Sequence, residues 1–299
     1  TDKRMNLNKY NPYFVLVVSV VIIAWSPLLT RWSEASGVIT SFFRMFIAAV
    51  ALSVPFVRKR NSYRSIKMQH IVLAVFAGVA FALDNALWAT GVTLAGASNP
   101  TFLVNTSPVW VGLGAMLFFR EQLGNRFWFG LVLAIAGSAL ILEVDWSYSV
   151  ISGTGSLYGL MGGFFYAGFL LVGQKARYHI DTLPFFFIVL CSCSCVLGIL
   201  ALILRYPISG YSTSTYLIFV LLGTLMTAGA WLAITYALGR LSAAIVAPIM
   251  LGQPVITAVL AHYILLEKLD RWQIMGAVAV LIGVLLTQSA RTFLSKREY

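Results

Sequence analysis

Charge is scarce in this chain. Only 10% of its 299 residues are charged, and Asp and Glu together number 10. A soluble domain carries about 25% charged residues. The remainder is 60% hydrophobic, with a mean hydropathy of +0.86. A water-soluble fold of this length could not hide so much apolar surface, and no soluble domain remains once the apolar runs are marked. Catalytic motifs are missing too. There is no His-Glu-x-x-His, no Gly-x-Ser-x-Gly and no Walker loop, which argues against zinc proteases, serine hydrolases and ATP-driven pumps. The expectation is a protein with no cofactor and no metal.

Cysteine and histidine are equally sparse. The three cysteines, Cys191, Cys193 and Cys195, share one apolar run. On a helix, 191 and 195 lie on one face and 193 points away, a spacing that makes no zinc site; they read as small packing residues. His70, His179 and His262 are scattered, two of them at loop edges.

What the chain has in abundance is apolar runs of membrane length. A spanning helix needs about 20 apolar residues. Ten fit, at roughly 13–33, 37–57, 69–94, 99–119, 125–143, 155–176, 183–205, 213–238, 243–265 and 271–290. The net charge of +11 does not point to nucleic acid, because the basic residues sit between the runs. With the N-terminus inside, sixteen of the 21 Lys and Arg fall on the inner side and four on the outer; Arg44 lies within a span. Cytoplasmic loops carry such an excess, so both termini are expected in the cytoplasm. The polar Thr1–Asn11 stretch is expected not to be a cleaved signal peptide.

The chain also repeats itself. Ala97–Leu140 aligns without a gap on Ala243–Leu286, at an offset of 146 residues. The pairs include Pro108/Pro254, Glu121/Glu267, Gly130/Gly276 and Gly137/Gly283. The offset carries the fourth and fifth spans onto the ninth and tenth. Five is odd, so the second copy is inverted relative to the first. The expected division is 1–146 for the first five-helix repeat and 147–299 for the second. Inverted repeats in membranes build transporters that rock one half against the other.

Ionisable groups inside spans are costly and usually face the bundle interior. Asp84 is the only acidic residue near the middle of a span. It could form a structural ion pair with Arg44, couple transport to protons, or receive a substrate amine. Asn85 and Trp88 lie beside it in the third span. Trp25, Tyr166 and Trp231 add aromatic faces suited to aromatic or cationic ligands, although ordinary packing explains any one of them. Asn105 and Gln253 are further candidates for substrate contact. Pro108 and Pro254 free carbonyls four residues back, at Val104 and Met250, which marks hinges or binding contacts. Glu121 and Glu267, at span ends, read as fixing turns; Trp32, Trp146 and Trp272 read as interfacial. Gly159-x-x-x-Gly163 gives the sixth span a close-packing face.

The run Asn99-Pro100-Thr101 to Asn105-Thr106-Ser107-Pro108, then Arg120-Glu121-Gln122-Leu123, Gly130 and Gly137, with its second copy Ala243-Ala244, Gln253-Pro254, Glu267-Lys268-Leu269, Gly276 and Gly283, resembles the EamA group of the drug/metabolite transporter superfamily. Ala24-Trp25-Ser26-Pro27 and Phe43-Arg44 are similar to that group as well. The resemblance covers essentially the whole chain and extends to aromatic amino acid exporters of the superfamily. It implies an all-α polytopic fold of ten helices in two inverted repeats, around a central cavity lined by helices 1, 3, 4, 6, 8 and 9. Helices 5 and 10 would be peripheral, at a dimer contact if one exists; monomer and homodimer both stay open. The expected function is secondary active transport of a small organic metabolite, an amino acid or an amphipathic or cationic compound, outward across a bacterial plasma membrane by alternating access, with a proton as a possible coupling ion. Rivals are a nucleotide-sugar or lipid-group carrier of the same fold, or a membrane-embedded enzyme.

Overall fold

The computed structural model describes residues 10–63, 66–95, 98–143, 153–264, 266 and 269–295. The expectations on Ala97, Trp146, Glu267 and Lys268 lie outside the described residues. Ten helical spans follow one another: α1 (Pro12–Arg31), α2 (Gly37–Arg58), α3 (Met68–Ala95), α4 (Ser98–Phe119), α5 (Asn125–Ile141), α6 (Thr154–Arg177), α7 (Thr182–Ile203), α8 (Thr213–Leu238), α9 (Ala243–Ile264) and α10 (Arg271–Ser295). All but α5 meet the length and hydropathy of a membrane-crossing helix. The 17 residues of α5 reach about 25 Å at 1.5 Å per residue, slightly short of a bilayer core.

Local chemistry sets the helix starts. The Asn11 side chain accepts from Tyr13 N at 2.9 Å with Pro12 in the first turn, and Ser36 and Ser212 cap α2 and α8 in the same way. Proline then interrupts three spans. α1 breaks at Ala24–Trp25 ahead of Pro27, α4 at Asn105–Thr106 ahead of Pro108, and α9 at Leu251 ahead of Pro254. Pro55 and Pro248 are absorbed without a break. Irregular backbone inside a membrane must be satisfied by protein neighbours. In α1 the Ala24 carbonyl accepts from Thr257 Oγ1 of α9 at 2.9 Å.

One departure has no proline behind it. Leu222–Trp231 in α8 is a π-helix, where Thr227 Oγ1 reaches back five residues to the Leu222 carbonyl at 3.0 Å. Such wide turns are rare and gather at functional sites.

The glycines that match across the 146-residue offset form the clearest seam. α5 and α10 run antiparallel with their backbones nearly touching. A Cβ at Gly130 would sit 2.7 Å from the Gly283 carbonyl, and one at Gly137 would sit 2.5 Å from the Gly276 carbonyl. Each repeat-matched glycine thus meets the other member's partner crosswise, as an inverted two-fold relation requires. The far faces of both helices expose Phe129, Val132, Leu281 and Leu285, which places the pair at the periphery. A second seam joins α6 to α3 and α4. Gly159 faces Pro100, Gly162 faces the backbone of Asp84 and Trp88, and Gly163 faces the carbonyls of Leu103 and Val104. The small face of α6 therefore holds the C-terminal half of α3 and the N-terminal half of α4 within the same chain.

Candidate functional site

Arg44 on α2 organises a polar cluster in the bundle interior. Its Nη2 donates to Asn85 Oδ1 at 3.3 Å, and its Nη1 donates to Ser26 Oγ at 3.5 Å. Ser41, one turn earlier on α2, donates to the same Asn85 oxygen at 3.5 Å. Asn85 Nδ2 turns back to the Phe81 carbonyl at 2.8 Å. Both ends of the Asn85 amide are in use, so it acts as a fixed acceptor that aims the guanidinium.

Of the three roles open to Asp84, the ion pair with Arg44 is not made in this structure. Among the described residues the guanidinium is bonded to Asn85 and Ser26, and no ion-pair contact joins it to Asp84. Asp84 and Asn85 are adjacent on α3, about 100° apart around the helix, and the helix rotation presents Asn85 to α2. Asp84 is 7% exposed and hydrogen-bonded to no described residue. It remains within electrostatic range of Arg44, Tyr166 and Cys193. Cys193 is fully buried here, while Cys191 and Cys195 are exposed, the face pattern expected from their spacing.

Aromatic rings border this cluster. Trp231, at the end of the π-helix, lies 4.8 Å from the Phe81 ring, 5.9 Å from Phe169 and 6.2 Å from Tyr166, which it meets nearly at a right angle. Phe81 and Phe169 stack at 4.5 Å. Buried donors and acceptors without a partner mark the same region: Arg44 Nε, Trp231 Nε1 and, one turn further along α8, Thr235 Oγ1. Leaving a buried polar group unpaired costs roughly 1–3 kcal/mol, a cost that a bound ligand of matching polarity removes.

The structure brings together Arg44, Asp84, Asn85, Tyr166 and Trp231. Other candidates lie elsewhere. Trp88 donates to Thr101 Oγ1 of α4 at 2.9 Å, which pins α3 to α4. Asn105 donates to Ser138 of α5 at 3.2 Å, toward the peripheral helix. Trp25 sits at the α1 break and is 38% exposed. Gln253, Pro254 and Pro108 lie at the breaks of α9 and α4. Sequence reasoning missed Ser26, Ser41, Cys193, Phe81 and Phe169. Ser41 carried a signal, being three residues before Arg44 on one helical face. The π-helix carried none.

A ten-helix fold in two inverted repeats with a buried polar centre defines a polytopic membrane transporter. The family model described as the EamA-like transporter family matches residues 11–143 and 153–288. The chain belongs to that family, and so to the drug/metabolite transporter superfamily. It is similar to an uncharacterized transporter of Archaeoglobus fulgidus, with 26% identity over 257 residues, covering 83% of this chain and 86% of that protein. A crystal structure superposes with a TM-score of 0.76 over 94% of this chain and 98% of the other, at 13% identity. That likeness concerns fold alone.

Proposed function

We propose that this transporter carries a small organic solute bearing an amine, an amino acid or an amphipathic cationic compound, outward by alternating access. The observation that carries the reading is Asp84: a buried acidic side chain with no hydrogen-bonding partner among the described residues, beside a guanidinium already held by Asn85. A buried carboxylate stays in a membrane core only when something answers it. A substrate ammonium or a proton answers it, and the two exclude one another, which is the logic of exchange. Arg44 Nε and Trp231 Nε1, both unpartnered, supply donors for the other end of a zwitterion. The rings of Phe81, Tyr166 and Trp231 suit an apolar or aromatic side chain.

A nucleotide sugar would call for several cations at this depth, and among the described residues Arg44 alone stands in the cluster. The distribution of basic residues supports an inner, cytoplasmic position for both termini. The group that the sequence resembles holds exporters and importers alike, and export is the direction we propose. The deciding experiment reconstitutes the purified protein into liposomes and tests amino acids, amines and nucleosides with and without a pH gradient. Proton-driven movement of an amine-bearing solute is expected. Movement confined to nucleosides, or no movement of any solute, would sink the proposal.

A further inference from the structure

α1 and α8 run antiparallel and meet at both ends. Tyr236 Oη of α8 donates to the Tyr10 carbonyl at 3.2 Å, and Leu29 packs with Leu222 and Met226 at the other end. Between these contacts lies a groove with a volume of about 190 Å³. Phe14, Val18 and Ile22 line it from α1, and Leu225, Gly229 and Ala233 from α8. Each set recurs every fourth residue, along one helix face. Phe14, Val18 and Leu225 are exposed, so the groove opens on the outside of the bundle, toward lipid.

Gly229 and Ala233 hollow out the α8 wall. The nearest described atom to a Cβ at Gly229 would be the Thr224 carbonyl oxygen, at 3.6 Å, which leaves open space in front of it. Below Tyr10, Ser19 is the one polar side chain among the described lining residues, and its hydroxyl donates to the Val15 carbonyl at 2.7 Å. The walls thus offer hydrocarbon contact rather than hydrogen bonds. The α1 wall rises from Pro12 to Ile22, about 15 Å at 1.5 Å per residue. That is the depth of one leaflet, half of a bilayer core about 30 Å thick. The groove also backs onto the π-helix: Ala230 lies on its wall, and the next residue, Trp231, stands in the aromatic cluster.

A cation stands at the mouth. Arg240, in the turn after α8, lies over the Tyr236 ring at 3.7 Å, and its Nη1 donates to the Tyr236 carbonyl at 3.3 Å. Ala233 and Tyr236 share one face of α8, so the exposed guanidinium continues that wall past the end of the helix. Arg177, in the last turn of α6, is within electrostatic range of Arg240, with Asp181 near Arg177. The sequence adds Lys9 directly before Tyr10.

We infer that this groove binds one anionic phospholipid of the leaflet on the side of the termini. An acyl chain lies between the Phe14–Ile22 and Leu225–Ala233 stripes, and the phosphate rests against Arg240. Basic pockets between spans on the cytoplasmic side hold anionic head groups, and the forked donors of Arg match a phosphate. A small polar solute finds no answering groups on these walls. A helix of a second copy, about 10 Å across, does not enter a groove of this volume.

Native mass spectrometry of the full-length protein in detergent reads the first lipid bound. Phosphatidylglycerol and phosphatidylcholine with the same acyl chains are titrated separately. Phosphatidylglycerol is expected to bind about fivefold more tightly, the value of one basic residue at a membrane surface. Arg240→Gln is expected to bring the two lipids level. Gly229→Leu fills the seat with a side chain suited to a lipid-facing helix, and is expected to weaken both lipids about tenfold, as the loss of roughly two buried methylenes would. Equal affinity of the parent for the two lipids overturns the site. So does unchanged phosphatidylglycerol binding by either variant, in protein that melts as the parent does.

Discussion

Asn85 takes one guanidinium nitrogen of Arg44 and leaves Asp84 over. That division of labour separates two neighbours that look interchangeable in a linear reading. Asp84→Asn removes a buried charge, and the melting temperature in detergent is expected to hold or rise. Gradient-driven accumulation in proteoliposomes is expected to vanish. Wild-type accumulation by this variant would remove the carboxylate from coupling. Trp231 gives a finer test. Trp231→Phe keeps a ring against Phe81 and Phe169 but deletes the unpartnered Nε1. Stability is expected to be unchanged, while solute affinity, read by equilibrium binding, falls about tenfold, the value of one well-placed hydrogen bond. Unaltered affinity would mean that the indole nitrogen faces nothing in the loaded state.

The spans and their breaks were legible because proline and charge are rare enough here to punctuate. Pro108 and Pro254 placed two interruptions within a few residues, since a missing N–H leaves a defined gap in the hydrogen-bond ladder. Pro27, Pro55 and Pro248 also lie inside spans, yet of these only Pro27 breaks its helix, so proline alone did not place that interruption. The π-helix of α8 was invisible: its residues Leu222–Trp231 are apolar or small, and nothing in their pattern marks the wider turn. The rotation of α3 was equally hidden, since no spacing rule says which of Asp84 and Asn85 faces α2. The breaks also carry a prediction. Pro108→Ala restores an N–H and lets α4 continue through Asn105–Thr106. The melting temperature is expected to hold or rise while the rate of solute exchange falls. An exchange rate equal to the parent's would take the α4 break out of the transport cycle.

For the molecule as a whole, the α5–α10 seam is a backbone-to-backbone constraint. Gly137→Ala would push a methyl group against the Gly276 carbonyl 2.5 Å away. Backbone cannot yield as a side-chain tip does, so a loss of about 1–3 kcal/mol is expected, as for overpacked cores. Gly168→Ala is the control. Its nearest neighbour is Ala80 Cβ at 3.9 Å, and alanine favours a helix over glycine, so stability is expected to be unchanged or slightly raised. Equal melting temperatures for the two variants would show that the seam is looser than its geometry.

That seam has a property of its own. Its contacts read the same from either end: position 130 answers 137 plus the offset, and 137 answers 130 plus the offset. The glycines of the first half therefore meet, in the second half, the matches of one another. The chain that links the halves supplies the inverted orientation.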